Sequence, residues 1–237
     1  MNNMNNANSP NKNSYKPIII SIDGLIGSGK TYLLNQLKNN YPEWHFVDEP
    51  LDTWTALKNE DGESLLEVFY KDKMRWSYTF QNCAVLSRYR NIRKAIDDWR
   101  ISCIDNPDQR RNNIFVTERC IETDFNVFAQ MLRDDGCLNN IEWDLYKQWY
   151  RMLSDQTDMN GIIYVNTPSN ISMERIHLRA RKGEDIIPME YLDNLDKYHK
   201  KWIDHTSIPV IVYNNYDADE GKKTRVEDVY SFINKMR

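Results

Sequence analysis

The chain lacks the marks of several protein classes. Only four of its 237 residues are cysteine, at positions 83, 103, 120 and 137, spaced 20, 17 and 17 apart. No pair has C-x-x-C spacing, which excludes a zinc ribbon and a dithiol redox motif. Free thiols suit a reducing compartment. A chain of this length buries roughly 70% of its unfolded surface on folding, so it needs no disulfide staples. The four histidines (His45, His177, His199, His205) form no H-x-x-x-H or H-x-x-E-H pattern, so no dedicated protein metal cage is expected. There is no basic surplus either. Thirty-one Lys and Arg face 35 Asp and Glu, a net charge of −4. That argues against a duplex-binding protein, so nucleic acid is not an expected partner. No apolar run approaches the ~20 residues of a membrane helix, so no membrane is expected. Residues 1–16 contain seven Asn in their first thirteen positions, no apolar stretch and no Arg. They are expected to be a disordered tail and not a secretory signal, and the missing Arg weakens a mitochondrial presequence. The expected compartment is the cytoplasm, with mitochondrion and nucleus left open.

What is present is an aromatic-rich (12%) sequence in which short β-branched runs alternate with helical patterns. Five strands are read at Pro17–Asp23, Trp44–Asp48, Ile114–Thr117, Gly161–Asn166 and Pro209–Tyr213. The strands are apolar without strict alternation, as when both faces are covered. Helices are read over Lys30–Asn40, from about Ser64 to Ile104, from the third strand's exit to about Arg133, and over Glu142–Ser154. Three more cover Ser169–Arg181, Pro188–Asp204 and Val226–Met236. The pattern predicts one α/β domain over residues 17–237, with helices packed on a parallel sheet. Ligands of such sheets bind beyond the strands' carboxyl ends, here the loops after Asp23, Asp48, Thr117 and Asn166.

The first of these loops reads Gly24-Leu25-Ile26-Gly27-Ser28-Gly29-Lys30-Thr31. It matches G-x-x-x-x-G-K-[ST] between a strand and a helix. The glycines let the backbone approach phosphates closely, and the following helix offers its positive end. Lys30 is placed to reach the β- and γ-phosphates, and the Thr31 hydroxyl to reach Mg²⁺. The second loop opens with Asp48-Glu49-Pro50, followed by Trp54. A carboxylate there can take the proton of an attacking hydroxyl. Adjacent residues in extended chain point to opposite faces, so one of the two acids serves. Pro50 stiffens the loop and Trp54 supplies an aromatic wall.

Gln81 and Arg88 share a helix face about two turns apart. An amide can read a base edge and an arginine can add a stacked or bidentate contact. By themselves both also fit an ordinary helix surface. The third strand ends in Glu118-Arg119. This is the position of an acid that supports Mg²⁺ and a cation that neutralises phosphoryl charge, and equally of an internal ion pair. Arg175, Arg179, Arg181 and Lys182 put four cations in eight residues of an acidic chain. They read as a solvated face or as a lid over anions.

Taken together and in order, these motifs resemble the deoxynucleoside kinases, the family of deoxycytidine, deoxyguanosine and deoxyadenosine kinases. They are Asp23–Thr31, Glu49-Pro-x-x-x-Trp54, Trp76–Gln81 with Arg88, Glu118-Arg119 with Asp124 and Phe128, Arg175–Arg181, and Ile187–Tyr191. They span about residues 17–213. The resemblance implies a three-layer P-loop kinase fold, a five-stranded parallel sheet flanked by helices with a helical lid. It implies transfer of the γ-phosphoryl of ATP, with Mg²⁺, to the 5′-hydroxyl of a deoxynucleoside in nucleotide salvage. Glu49 would be the general base, oriented by Arg119, with Lys30 on the phosphates. Gln81 would pair with the base and Phe128 would stack on it. Trp54, Leu66, Phe80, Arg88 and Asp124 would complete the pocket, and Tyr70 and Glu184 would hold the sugar 3′-hydroxyl. Thr31 and Glu118 would support the metal, and Arg175, Arg179 and Arg181 would close over ATP. The pair Arg88 and Asp124 resembles the branch preferring deoxycytidine and deoxypurines, since a charged pair crowds the space of the thymine methyl. A homodimer through the long helix and the helix at 142–154 is also implied. Two positions depart from the family pattern: Leu25 stands where Asn is usual, and Cys120 where Ser is usual. A thymidine or nucleoside-monophosphate kinase, or a non-catalytic kinase-like subunit, are the alternatives.

Overall fold

The computed structural model describes residues 16–214, 216 and 224–237. The Asn-rich segment expected as a tail lies outside the described residues, apart from Lys16.

All five predicted strands are present, as β1 (Ile18–Gly24), β2 (His45–Val47), β3 (Ile114–Glu118), β4 (Met159–Asn166) and β5 (Val210–Asn214). They form one parallel sheet in the order β2-β3-β1-β4-β5. The central strand shows why the run is apolar throughout. Ile18, Ile20 and Ile22 point to one face, against Leu33, Leu34, Leu37, Val229 and Ile233. Ile19 points to the other, against Ile92, Ile96, Trp99 and Phe115. A strand covered on both faces buries every second residue in each layer.

The first face is covered by α1 (Lys30–Asn40) and, after β5, α10 (Val226–Asn234). The second carries α2 (Leu51–Ala56), α3 (Leu65–Lys71), α4 (Lys73–Asp105), α8 (Ser169–Arg179) and α9 (Met189–His205). After β3 comes a composite helix: α5 (Ile121–Thr123), a π-helical stretch Asp124–Ala129, and α6 (Gln130–Asp134). α7 (Asn140–Ser154) packs beside α4.

Three features differ from the sequence expectation. The helix read from Ser64 to Ile104 is two helices. Ser64 and Glu67 form a capping box that starts α3, and the Asp72 carboxylate accepts from the Arg75 amide to start α4. The apolar pattern runs through this junction, but Asp72 sits at φ −143°, outside helical space. Residues 51–56 form a short helix where a loop was read. The helix ahead of the lid stops at Arg179, because Ala180 adopts a left-handed φ of 49°. Arg181 therefore sits in the turn beyond it.

Because the sheet is parallel, Gly24, Val47, Glu118 and Asn166 end at one edge. β1 sits at the sheet centre, flanked by β3 and β4, with the chain crossing from one side of it to the other. That is the switch point at which open α/β sheets bind ligands.

Candidate active site

The P-loop is shaped by its glycines. Gly24, Gly27 and Gly29 have φ of 142°, 78° and 99°. A Cβ on Gly27 would lie 2.4 Å from the Ser172 carbonyl oxygen, and one on Gly24 2.5 Å from that of Val165. Leu25 and Ile26 are buried and pack into the apolar core, so this stretch offers a ligand backbone rather than polar side chains. Lys30 folds back to donate to the Leu25 carbonyl at 2.7 Å. Burial and the neighbouring Arg119 charge lower its pKa to about 7. A bound anion would reverse that shift. The Ser28 carbonyl accepts from Thr167 at 2.9 Å and Arg175 at 3.0 Å, which ties α8 to the loop. The Thr31 hydroxyl donates to Glu118 at 2.9 Å.

The two acids after β2 part company. Asp48 is exposed and pairs with Lys38. Glu49 turns inward, its side chain 10% exposed. Its Oε1 accepts from Arg119 at 2.5 Å and from Arg88 at 3.0 Å. No protein group hydrogen-bonds Oε2 among the described residues. Burial alone would raise the Glu49 pKa, but Arg119, Arg88 and Lys30 outweigh it and hold the group at about 2. It is ionised at any physiological pH.

Arg88 links three groups. Besides Glu49, it donates to Asp124 at 3.1 Å and to the Glu118 carbonyl at 2.7 Å. Its guanidinium also lies 5.1 Å from the Trp54 ring. Burial dominates at Asp124 and raises its pKa to about 6, with Arg88 opposing. Arg119 carries a left-handed φ of 61°. Such backbone costs of order 1–3 kcal/mol in a non-glycine residue and persists where the surroundings enforce it. Here the enforcing contacts are its amide on the Ile22 carbonyl, at 3.0 Å, and its guanidinium on Gly24 and Glu49. The same guanidinium lies 5.1 Å from the Phe128 ring.

These groups line one cleft of about 570 Å³, its open mouth included. That is a usual size for a small-molecule site. Beyond Glu49 the wall turns aromatic. Trp54 meets Phe80 edge-on and donates its indole N–H to Ser87 at 3.0 Å. Gln81 is 1% exposed, and neither end of its amide has a hydrogen-bond partner among the described residues. A buried amide left unpaired costs on the order of 1–3 kcal/mol, so its presence in a cleft points to a ligand with a donor–acceptor edge. Leu66 and Tyr70, from α3, and Asp124 and Phe128, from the π-helical turn, close this end. Glu184 faces the cleft while accepting from Arg179 at 2.6 Å and Arg181 at 2.8 Å.

A model of the deoxynucleoside kinase family matches residues 20–236. The chain belongs to the deoxynucleoside kinase family, and it is a phosphotransferase. It is 32% identical to deoxycytidine kinase 1 of Xenopus laevis, with 96% of this chain and 95% of the relative covered. It is 29% identical to human deoxycytidine kinase over 92% of this chain and 91% of the relative. To the mitochondrial deoxyguanosine kinase of Xenopus laevis it is 30% identical, over 78% and 72%.

In this kinase, every residue expected at the nucleoside lines the one cleft, together with Ile26, Gly27, Lys30, Glu118, Arg179 and Arg181. Gly24, Leu25, Ser28, Gly29, Thr31 and Arg175 stand around it as the P-loop and its support. Sequence reasoning missed Leu51, Phe69 and Ala84. Phe69 stacks on Phe80 at 4.4 Å. The one available signal was its apolar neighbourhood, which core residues share. Among the described residues no helix is long and apolar enough to cross a membrane. Among the same described residues no group of three or more His, Cys, Asp or Glu is gathered to hold a metal. A hard cation held mainly by phosphates needs only one or two protein oxygens, and Thr31 with Glu118 offers that donor set.

Proposed function

We propose that this kinase transfers the γ-phosphoryl group of ATP to the 5′-hydroxyl of deoxycytidine or a deoxypurine nucleoside, supplying monophosphates for salvage. The observation that carries this reading is the unpaired amide of Gln81, buried in the same cleft as Lys30 and Glu49. One cleft thus offers a base-reading group, a carboxylate for a hydroxyl and a phosphate cradle.

In this reading the base lies between Gln81 and the Phe128 ring, with Trp54, Leu66 and Phe80 excluding water. Arg88 and Asp124 narrow the space a thymine methyl needs. Tyr70 and Glu184 bind the sugar. Arginines on Oε1 leave Glu49 Oε2 to receive the 5′-hydroxyl proton. A carboxylate near pKa 2 is a weak base, but phosphoryl transfer passes through a loose transition state in which position matters more than basicity. Lys30 and the arginines 119, 175, 179 and 181 stabilise charge on the transferring group. Mg²⁺, held by Thr31 and Glu118 with the phosphates, would neutralise charge on the donor.

A homodimer is part of the same reading. α7 exposes Ile141, Leu145, Trp149 and Met152 at helical spacing, and α4 exposes Leu86, Ile101 and Ile104. An apolar stripe of this kind fits association with a second copy.

The test is turnover of the four natural deoxynucleosides with ATP and Mg²⁺. Deoxycytidine or a deoxypurine should give the highest kcat/KM and thymidine the lowest. Thymidine equal to or better than the others would overturn the base assignment.

A further inference from the structure

The lid arginines already have an anion. Glu184 is almost fully buried at its side chain (4% exposed), and each carboxylate oxygen accepts from a different arginine, Arg179 and Arg181. All three side chains line the cleft that holds Lys30 and Gly27. The tip of this segment is fastened as well. Lys182 pairs with Glu67 at 2.8 Å, and a Cβ on Gly183 would lie 3.0 Å from the Glu67 side chain. Glu67 in turn caps α3 through Ser64. The lid is therefore folded over the cleft with two of its cations neutralised from within.

We infer that Glu184 is a positioning residue for the phosphoryl donor, an internal counter-anion that occupies Arg179 and Arg181 until phosphates displace it. The inference rests on the reading of the cleft as a triphosphate site. A guanidinium fork that binds a carboxylate has the geometry to bind a phosphate. Two guanidiniums two residues apart would repel in an empty cleft, and the carboxylate holds them in place. The consequence is competition: the donor must break both Glu184 contacts to engage the arginines. The carboxylate released on exchange faces the same cleft as Tyr70. Any acceptor that hydrogen-bonds it frees the arginines in turn, so donor and acceptor favour each other's binding reciprocally.

Inorganic tripolyphosphate, titrated calorimetrically into the intact enzyme without nucleoside, reads the exchange apart from turnover. Glu184→Gln should tighten its binding about fivefold or more, at the low end of usual coupling between linked sites. Glu184→Asp keeps the charge but is too short to span both arginines, and should shift binding in the same direction. In the background Arg179→Ala/Arg181→Ala, which should itself weaken binding, the gain from Glu184→Gln should fall below about twofold. Unchanged or weaker binding in Glu184→Gln and Glu184→Asp would overturn the proposal. So would an equal gain with and without the two arginines, which would make Glu184 only a diffuse negative charge. If tripolyphosphate binding ignores the loss of both arginines, they are not donor ligands, and the lid role proposed above falls with the inference.

Discussion

The two ends of the cleft are built by different means. The end proposed for phosphate is backbone: six consecutive residues at the end of β1 curl into a cradle, and three glycines hold φ values that other residues rarely adopt. The end proposed for the nucleoside is side chain. Glu49 comes from the loop after β2, Trp54 from α2, Tyr70 from α3, Gln81 and Arg88 from α4, and Asp124 and Phe128 from the π-helical turn. Contacts such as Arg88 to Asp124 and Arg119 to Glu49 join residues 36 and 70 positions apart. A cradle made from contiguous backbone is specified locally, whereas a pocket gathered from five elements depends on the whole second layer of helices. The first should fail through conformation and the second through lost hydrogen bonds.

The largest expected effect lies where the two ends meet. Glu49→Gln should lower kcat by about 10³-fold, within the usual range for a positioned base. ADP affinity, read by calorimetry, should stay within severalfold. Near wild-type kcat would remove Glu49 from its role. At the nucleoside end, Gln81→Leu should raise nucleoside KM about 10- to 100-fold, the equivalent of about 1–3 kcal/mol. The KM for ATP should hardly move. Gly27→Ala should act the other way round. Its Cβ meets the Ser172 carbonyl, so stability should fall by about 2 kcal/mol, seen as a lower Tm, and the KM for ATP should rise. If Gly27→Ala instead spoiled nucleoside binding alone, the division between the ends would be false.

The smallest effect is a pH limb. Burial raises Asp124 to about 6, so the ionised form that pairs with Arg88 is lost as pH falls through that value. The kcat/KM for nucleoside should then drop about tenfold between pH 7 and pH 5, and this limb should vanish in Asp124→Asn. A flat profile in wild type would show that the ionised pair does not shape the pocket.

The same contrast decided what could be read from sequence. The P-loop was legible because motif, strand and helix adjoin, and α1 runs over Lys30–Asn40, the residues its pattern marked. The strands were legible because both-face burial leaves continuous apolar runs. The break at Asp72 was not, since one aspartate capping its own helix start is invisible inside an apolar repeat. The π-helical turn at Asp124–Ala129 has no local signature either. It is held by packing: Phe125 stacks on Tyr150 at 4.0 Å and on Trp143 at 5.3 Å. Residue choice at the nucleoside end came from the family motifs, because Gln81 and Arg88 look like any helix surface until α3 and the π-helical turn cover them. Lys182 with Glu67 lay beyond reach altogether, a pair 115 positions apart with no pattern to announce it.

The most direct test of the central claim is to follow the products of deoxycytidine, ATP and Mg²⁺ by phosphorus NMR. Deoxycytidine 5′-monophosphate and ADP should appear in equal amounts. ADP with free phosphate and no nucleotide product, or reaction only when a monophosphate replaces the nucleoside, would contradict it.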